Sequence, residues 1–442
     1  MPGPLDPTED RALTHSRSRA LGRASWGVID QGFVSLANFG LGVVVARLVS
    51  PTEFGAFGIV FAVYLVALNI ARGLATQPLT IRFGIHDPEE FRRASGEATG
   101  LAVVLGLLGG LASIGLATIL PAPLSAGFVG LAVALPGLLV QDAWRFVLFT
   151  AGRGREAMVN DVVWTLVLVP LVAFVAALGV ESVMTLVVCW GVGATAAAAI
   201  GAIQTQTLPQ IGRAVAWWRE HLDITPRFLS SELLQMAGSQ GALLAVGAIA
   251  GLAAVGSLRG AQLLLGPFNV LSIGIHLTLV PEAARLRNNM ARLRRMAIVA
   301  SLVLGLPGLL WGITLLLLPD SIGREILGES WPGASAVLLP IILAGTAPLI
   351  SAGQRIALRA LEEATRTLRA SAVQAIGMLV GGVAGSFVAG AVGAAWGIAF
   401  GTAVATIVWW VEMSRAIGHG VLPNSSGVSR SRIWSVETDG AP

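Results

Sequence analysis

The segment Ala46-Arg47-Leu48-Val49-Ser50-Pro51-Thr52-Glu53-Phe54-Gly55 separates two long apolar runs, and it decides the fold predicted for the rest of the chain. Each run is long enough to cross the hydrocarbon core of a bilayer, which takes about 20 helical residues. Both runs also carry polar side chains, although a charge at the bilayer centre costs about 3 kcal/mol on insertion scales. These side chains are Asp30, Gln31, Asn38, Asn69, Arg72 and Gln77. The sequence therefore predicts a helical hairpin whose polar residues face protein or water, as in the wall of a pathway.

Composition assigns the whole chain to the membrane class. Of its 442 residues, 55% are hydrophobic and only 12% are charged, whereas soluble domains contain about 25% charged residues. The apolar residues come in long runs that are separated by short breaks rich in arginine, which is the pattern of a polytopic membrane protein. The net charge of +4 comes from these arginines, which orient a protein in the membrane. We therefore expect no nucleic-acid partner.

We predict an all-α polytopic membrane protein with twelve transmembrane helices in two six-helix bundles around a central cavity. The predicted spans are approximately 25–48, 56–81, 95–119, 127–150, 158–178, 184–205, 228–250, 256–280, 297–318, 335–354, 371–390 and 395–416. With both termini in the cytoplasm, most arginines fall on the inner side, Arg355 among them, and Arg47, Arg259 and Arg324 fall on the outer side. Because positive charge marks cytoplasmic loops, we expect a multi-pass protein of the plasma membrane with this orientation.

The predicted domain organisation has five parts. They are a disordered cytoplasmic tail (1–24), an N-terminal six-helix lobe (25–205), an interfacial amphipathic linker (206–227), a C-terminal six-helix lobe (228–416) and a second disordered cytoplasmic tail (417–442). The linker carries Trp217 and Trp218, which we expect at the depth of the lipid headgroups.

An internal repeat supports the division into two lobes. Gln31 and Gly55 have the same 24-residue spacing as Glu232 and Gly256. Two further matches follow at similar offsets, Pro78 with Pro281 and Trp190-Gly191 with Trp396-Gly397. Six spans per lobe give both lobes the same orientation, so the symmetry axis is expected along the membrane normal.

Four charges are predicted in the inner half of the first lobe. Arg72 precedes Arg82, at the inner boundary, by ten residues, or about 15 Å along a helix. Asp142 and Arg145 lie at a similar depth, and Asp30 lies somewhat nearer the inner side. Two interpretations stay open: ion pairs that hold helices together, Asp142 with Arg145 and Asp30 with Arg72, or a hydrated cationic cavity for an anionic headgroup.

The second lobe carries a polar stripe on its second span. Arg259, Gln262, Gly266, Asn269, Ile273 and His276 recur at steps of three and four residues, which is one face of a helix. Such a stripe favours a cavity lining over a lipid-facing surface. Glu232, Gln235 and Gln240 on the preceding span are expected to face the same interior. His276 is either a protonation switch or a structural histidine.

The remaining motifs are structural or absent. Gly377, Gly381 and Gly385 form a small-residue ridge that predicts close helix packing. The sequence contains no P-loop and no histidine or cysteine spacing typical of a metal site, and Cys189 is its single cysteine. We therefore expect a protein that is not an enzyme and that uses no metal or cofactor.

Two segments resemble a known family. Residues 46–58 and the later segment Leu327-Gly328-Glu329-Ser330-Trp331-Pro332-Gly333-Ala334 are similar to signatures of the polysaccharide-biosynthesis, or lipid-linked oligosaccharide, flippases of the MOP exporter superfamily. The resemblance implies two bundles around a cavity that opens alternately to either side, in which cationic residues meet the diphosphate and sugars of a polyprenyl-linked glycan. Arg72 and Arg145 match that role by depth. The implied partners are the lipid-linked glycan, the lipid bilayer, and glycosyltransferases or a polymerase of the same pathway.

Other functions remain open at this point. A drug or metabolite antiporter of the multidrug-and-toxin-extrusion (MATE) branch shares the fold, but a cation-binding site favours acidic and aromatic groups. A membrane enzyme, such as a glycan polymerase or acyltransferase, needs a catalytic outer loop or clustered His and Asp residues, which the sequence lacks. A scaffold of a biosynthetic complex that does not itself transport is the fourth possibility.

Overall fold

The structure is a computed structural model, and it describes residues 32–84, 87–266, 279 and 282–419. Within these ranges the chain is helical, with no β-strand. The predicted tails, together with Asp30 and Gln31, lie largely or wholly outside the described residues. So do Asn269 and His276.

We number the principal helices in chain order. They are α1 (Gly32–Leu48), α2 (Pro51–Phe83), α3 (Pro88–Ile119), α4 (Leu124–Thr150), α5 (Gly154–Ala177), α6 (Val183–Thr205), α7 (Ala214–Glu220), α8 (Thr225–Ala250), α9 (Leu252–Leu264), α10 (Met290–Leu316), α11 (Asp320–Leu327), α12 (Trp331–Ile350), α13 (Ala352–Ala360) and α14 (Ala364–His419). The last helix is broken at Ala389 and Gly390, whose backbone angles are not helical. The two arms of α14 therefore correspond to the eleventh and twelfth predicted spans.

These helices confirm the prediction of an all-α polytopic membrane protein. In the described part, eight helical segments are long and apolar enough to cross a membrane, with α11–α13 forming one of them and both arms of α14 another. Two shorter apolar helices, Gly32–Leu48 and Met236–Ala250, match the first and seventh spans. Large apolar side chains such as Leu111, Phe387 and Phe400 are exposed on the outer faces of the helices, as expected for surfaces in contact with lipid.

The break between the first two spans is a helix start with a complete cap. The Ser50 side chain accepts a hydrogen bond from the Glu53 backbone N–H, and the Glu53 carboxylate accepts one from the Ser50 N–H. Pro51 occupies the first turn, where its missing N–H has no intrahelical partner to lose. This capping box accounts for the Ser-Pro-Thr-Glu sequence without any chemical role.

Two repeat-related glycines bring α2 and α9 into backbone contact. Gly55 on α2 and Gly256 on α9 face each other, so that a Cβ atom on Gly55 would lie 3.2 Å from the Gly256 nitrogen and would overlap the Leu252 carbonyl oxygen. A Cβ atom on Gly256 would lie 3.3 Å from the Gly55 nitrogen. The predicted repeat thus pairs two positions that need a residue without a side chain.

The second signature segment packs against the first. Gly328 adopts a positive φ of 58° and lies beside the backbone of Ala46 and Arg47, where a Cβ atom would be 3.3 Å from the Arg47 Cα. Close by, the Trp331 indole Nε1 donates a hydrogen bond of 2.8 Å to the Asp320 carboxylate, which fixes the turn between α11 and α12. Both signatures therefore close one end of the molecule, which the sequence predicts to be the outer end.

The helices pack in two groups. In the first, α4 lies between α3 and α6, and α5 packs on α6. In the second, α8 packs on α14, and α12 packs on α9, α10 and α14. Helix α2 contacts both groups, because it packs on α4 and also on α8 and α9. The predicted boundaries of the lobes and the linker stay predictions.

The linker is held to α2 and α3. The Gln210 backbone N–H donates a 2.7 Å hydrogen bond to the Gly96 carbonyl, and Arg213 pairs with Glu97 at 3.2 Å. Trp217 is buried against Phe83 and is only 1% exposed, so protein and not lipid covers its side chain, and its expected depth at the headgroups stays a prediction. Trp218, 42% exposed, is free to take that position.

The predicted glycine ridge is confirmed as a packing motif. Gly377, Gly381 and Gly385 on the first arm of α14 face Gly401, Gly397 and Gly393 on the second arm. Backbone lies directly against backbone at all three levels, so a Cβ atom at Gly377 would lie only 3.1 Å from the Gly401 Cα. Small residues permit this approach between helices in a membrane.

We predict that Gly55→Ala opens the end of the molecule where α2 meets α9. The added methyl group overlaps the Leu252 carbonyl oxygen, which belongs to a helix backbone and has little room to move. The measurement is the rate at which a water-soluble maleimide labels Val255→Cys, a fully buried position, in a Cys189→Ala background. We expect labelling to accelerate several-fold. Gly115→Ala is the control, because nothing lies within 4 Å of its Cβ position, and an equal rate in both variants would contradict the prediction.

Candidate functional site

The deep charges of the first group form two ion pairs across helices. The Arg72 guanidinium donates two hydrogen bonds to Asp142, from Nε to Oδ2 at 2.8 Å and from Nη2 to Oδ1 at 2.6 Å. The same guanidinium lies 5.1 Å from the centre of the Phe146 ring. The predicted pairing of Asp142 with Arg145 is therefore wrong, because the bidentate geometry joins α2 to α4 instead of one turn of α4 to the next.

Arg145 pairs with a residue that sequence reasoning missed. Its Nε lies 2.9 Å from the Asp161 Oδ2 on α5, and both side chains are buried. The Gln141 amide donates to Asp161 at 2.8 Å and to the Asn160 Oδ1 at 3.2 Å. One signal was present in the sequence, since Asp161 is a carboxylate inside the predicted span 158–178.

The backbone of α2 changes pitch at the ion pair. Residues Arg72–Thr76 form a π-helical turn inside α2, which carries one extra residue per turn. Such a turn rotates the side chains that follow it relative to those before it. Here the turn begins at Arg72. Its Gly73 packs on the Leu229 side chain of α8, which would lie 3.3 Å from a Cβ atom on Gly73.

Asn69 is bonded within its own helix. Its Nδ2 donates a 2.8 Å hydrogen bond to the Leu65 carbonyl of the preceding turn of its own helix. An amide that is satisfied within its helix can lie in the membrane without a substrate, which explains the residue structurally.

A cavity of about 480 Å³ lies between α1, α2 and helices of the second group. It is lined by α1, α2, α8, α9, α12 and α14 and by the residues just after α9. Its polar residues are Ser35, Asn38, Ser239, Gln240, Arg259 and Gln262. Most of the remaining lining is apolar, including Phe54, Phe57 and Phe61.

The cavity gathers several of the predicted site residues and leaves others apart. Arg259, Gln262 and Gly266 of the polar stripe line it, and so does Asn38 of the first span. Glu232 and Gln235 lie on α8, but their side chains fall outside the described part of the chain. Arg72, Asp142 and Arg145 are not among the lining residues.

Arg259 is the charged residue among those that line the described cavity. Its Nη2 donates weakly to the Gly58 carbonyl at 3.4 Å and to the Gln240 Oε1 at 3.3 Å, and its guanidinium lies 5.4 Å from the Phe61 ring centre. Its Nε is buried without an acceptor. The side chain turns into the cavity about 10 Å along α9 from Leu252, and the expectation that Arg259 lies toward the outer side stays a prediction.

Aromatic residues connect the cavity to the ion pairs. Phe61 contacts Trp190 at 5.7 Å between ring centres, and Tyr64 meets Trp190 edge to face at 4.6 Å. A narrow crevice beside them is lined by Asn38 and Asp161 together. Asn38 on α1 thus belongs both to the cavity and to the approach to the Arg145–Asp161 pair.

In the described region the buried carboxylates are all paired, but the arginine of the cavity is not. Four carboxylates are buried, and each is paired with arginine: Glu97 with Arg213, Asp142 with Arg72, Asp161 with Arg145, and Glu412 with Arg366. Arg259 has no carboxylate within salt-bridge distance among the described residues. The cavity wall therefore carries a positive charge whose counter-ion the described chain does not supply, and such a site suits an anion.

We predict that Arg72→Leu destabilises the protein by about 3 kcal/mol, because it leaves the buried Asp142 carboxylate without its cation. The free energy of unfolding in detergent measures the effect. The double variant Arg72→Leu with Asp142→Leu should recover most of this loss, since it removes both charges. Arg82→Leu is the control, because its pair with Asp223 is exposed and should contribute less than about 1 kcal/mol. A double variant that is no more stable than the single one would contradict the prediction.

Comparison with known proteins identifies the fold. No protein-family model and no curated protein matches the chain. Among solved structures, an inward-facing multidrug-resistance MATE transporter of the MOP superfamily superimposes with a TM-score of 0.71 at 16% identity, covering 89% of this chain and 96% of that one. The lipid II flippase MurJ, in an inward closed conformation, gives 0.64 at 12% identity, covering 89% and 90%. A MOP-superfamily transporter from Pyrococcus furiosus, described as having a binding pocket of reversed polarity, gives 0.60 at 14% identity, covering 90% and 96%. The chain therefore has the fold of the MOP-superfamily transporters.

Proposed function

We propose that this protein is a flippase that moves a polyprenyl-linked oligosaccharide, or a related anionic glycolipid, across the membrane by alternating access. The observation that carries the proposal is the polarity of the cavity. Arg259 faces it without a carboxylate partner in the described chain, whereas every buried carboxylate there is neutralised by arginine. A cavity of this kind attracts an anion.

The physical need for such a cavity follows from the substrate. A diphosphate-linked sugar headgroup cannot cross about 30 Å of hydrocarbon unaided, because its charges and hydroxyl groups lose their hydration. A guanidinium offers several donors in the fork geometry that suits a phosphate. Asn38, Gln240 and Gln262 add amide groups that can bind sugar hydroxyls. The prenyl tail is free to stay in lipid between the two groups of helices while the headgroup moves.

The fold is compatible with this substrate class. One solved structure of the same fold is the lipid II flippase MurJ. Another is the Pyrococcus furiosus transporter whose pocket of reversed polarity suggests a different function. We place the present chain with the polysaccharide-biosynthesis branch, on the basis of its two signature segments and its cationic cavity.

The biological setting belongs to the same proposal. The flippase acts in the plasma membrane, with both termini cytoplasmic, and moves its substrate from the inner to the outer leaflet for cell-envelope polysaccharide biosynthesis. Glycosyltransferases that build the glycan on the inner side, or a polymerase of the same pathway, are the expected partners.

A cation-coupled drug or metabolite antiporter of the MATE type is the second candidate. One observation favours it: the cavity of about 480 Å³ is mostly apolar and matches the size of a drug-binding pocket. Against it stands the positive charge of Arg259, which repels a cationic drug.

We predict that Arg259→Ala reduces flipping of a lipid-linked oligosaccharide at least tenfold, because it removes the cation from the cavity wall. The measurement is the transfer of a fluorescent polyprenyl-diphosphate saccharide between leaflets of proteoliposomes. Arg259→Lys keeps the charge and should retain part of the rate. The control is Arg324→Ala, which removes an exposed arginine from the end that the sequence predicts to be outer.

Parallel dye-efflux measurements separate the two candidates. Arg259→Glu should abolish lipid flipping and leave cationic dyes untransported if the protein is a flippase. Cation-dependent efflux of a cationic dye by the unaltered protein, together with normal lipid flipping by Arg259→Ala, would overturn the proposal in favour of the antiporter.

A further inference from the structure

A second arginine shares the unusual state of Arg259. Among the arginines whose side chains the structure describes, Arg259 and Arg355 are the two that are neither exposed nor paired with a carboxylate. The Nε atoms of both are buried without an acceptor. Both guanidinium groups lie on aromatic rings, Arg259 on Phe61 and Arg355 on Trp409 at 5.0 Å.

Arg355 is held by two residues of α14. Its Nη2 donates a 2.7 Å hydrogen bond to the Gln374 Oε1, which also lies 3.4 Å from the Trp409 Nε1. Trp409 is 3% exposed, and the guanidinium lies over the face of its ring. This arrangement fixes the plane of the guanidinium and uses one of its five donors in a hydrogen bond with the described protein. The remaining donors require water or an acidic ligand.

The chain places this site next to the central cavity. Arg355 lies on α13, which follows the cavity-lining helix α12 after a break at Ser351. On α14, Gln374 precedes the cavity-lining Met378 by one turn, or about 6 Å. Arg355 and its partner Gln374 therefore lie beside the cavity, on the side of Met378 that leads to the end predicted to be cytoplasmic.

We propose that Arg355, Gln374 and Trp409 form a second phosphoryl-binding site, at the inner mouth of the cavity, through which an anionic lipid headgroup passes before it reaches Arg259. The order in which the headgroup meets the two sites rests on the proposed function, whereas the binding of a phosphoryl group at Arg355 does not. Arg355, Gln374 and Trp409 are not among the residues that line the cavity, so the site that they form is separate from the one at Arg259. The two arginines thus provide two successive sites.

A purely structural role for Arg355 predicts a different behaviour. Its contacts with Gln374 and Trp409 also tie α13 to α14, and a tie of that kind contributes to stability without binding anything. The two roles differ in ligand stoichiometry, because a structural tie changes the unfolding temperature but not the number of phosphoryl groups bound.

The test counts bound diphosphates on the full-length protein by native mass spectrometry, with farnesyl diphosphate as the probe. We expect two bound molecules on the unaltered protein, one on Arg355→Gln and one on Arg259→Gln. The affinity lost at the altered site should be about tenfold or more, as for other charge-assisted contacts with phosphate. Arg359→Gln is the matched control, because this exposed arginine lies one turn further along α13, and it should still bind two.

Folding is controlled by Arg355→Lys, which keeps the cation and should bind two molecules with reduced affinity. Binding of two molecules by Arg355→Gln, or of only one by the unaltered protein, would overturn the proposal. If Arg355→Gln loses one diphosphate but the unaltered protein flips no lipid-linked oligosaccharide, the site stands and the proposed function fails. The reverse result, normal flipping with a single diphosphate site, retains the function and removes the second site.

One further arm identifies the source of the phosphoryl group. Phosphatidylglycerol is added to the detergent micelles before the titration with farnesyl diphosphate. If it displaces the molecule bound at Arg355, the site belongs to a bulk anionic phospholipid. If it does not, the site is selective for the diphosphate of the transported lipid. Both results retain the phosphoryl site and differ in the lipid that fills it.

Discussion

The close approach of α2 and α9 at Gly55 and Gly256 is the contact on which the rest of the architecture depends. Backbone meets backbone there, so α2, which also packs on α4, is held directly against the second group of helices at this end. One turn beyond, Gly58 lies against the Arg259 side chain, which fills the space that a larger residue would occupy. The contact that closes one end of the molecule therefore also places the Arg259 guanidinium in the wall of the cavity. The glycine contact and the candidate site at Arg259 therefore lie on consecutive turns of α2 and α9.

The sequence predicted what depends on period and length. Hydropathy located the spans, glycine spacing identified the ridge on α14, and the three- and four-residue steps from Arg259 to Gly266 correctly predicted a cavity lining. The partners of the deep charges were not predictable in this way. Arg72 and Asp142 are 70 residues apart, and their meeting depends on how α2 and α4 rotate and pack, which no local pattern reveals. Proximity in sequence suggested Asp142 with Arg145, but the fold uses Asp161 instead.

Trp217 illustrates a second limit of sequence reasoning. Tryptophan next to arginine in a loop between hydrophobic segments is typical of the headgroup region. The side chain is buried because the linker folds back onto α2 and α3, where Phe83 and His221 enclose it. Amphipathicity predicts that a segment has an apolar face, but tertiary packing decides whether lipid or protein covers that face.

The first and second groups of helices, here called the N-terminal and C-terminal groups, hold their buried arginines in different ways. In the N-terminal group, Arg72 and Arg145 are engaged by Asp142 and Asp161, so the family-based expectation that these two arginines receive the headgroup requires an ion pair to open. In the C-terminal group, Arg259 and Arg355 are held by aromatic rings and amides, which orient a cation without neutralising it. A ring and an amide leave most of the charge available, whereas a carboxylate does not. The positive charge that is open to an anion is therefore on the C-terminal side, at Arg259 in the cavity, whereas the ion pairs on the N-terminal side hold α2, α4 and α5 together.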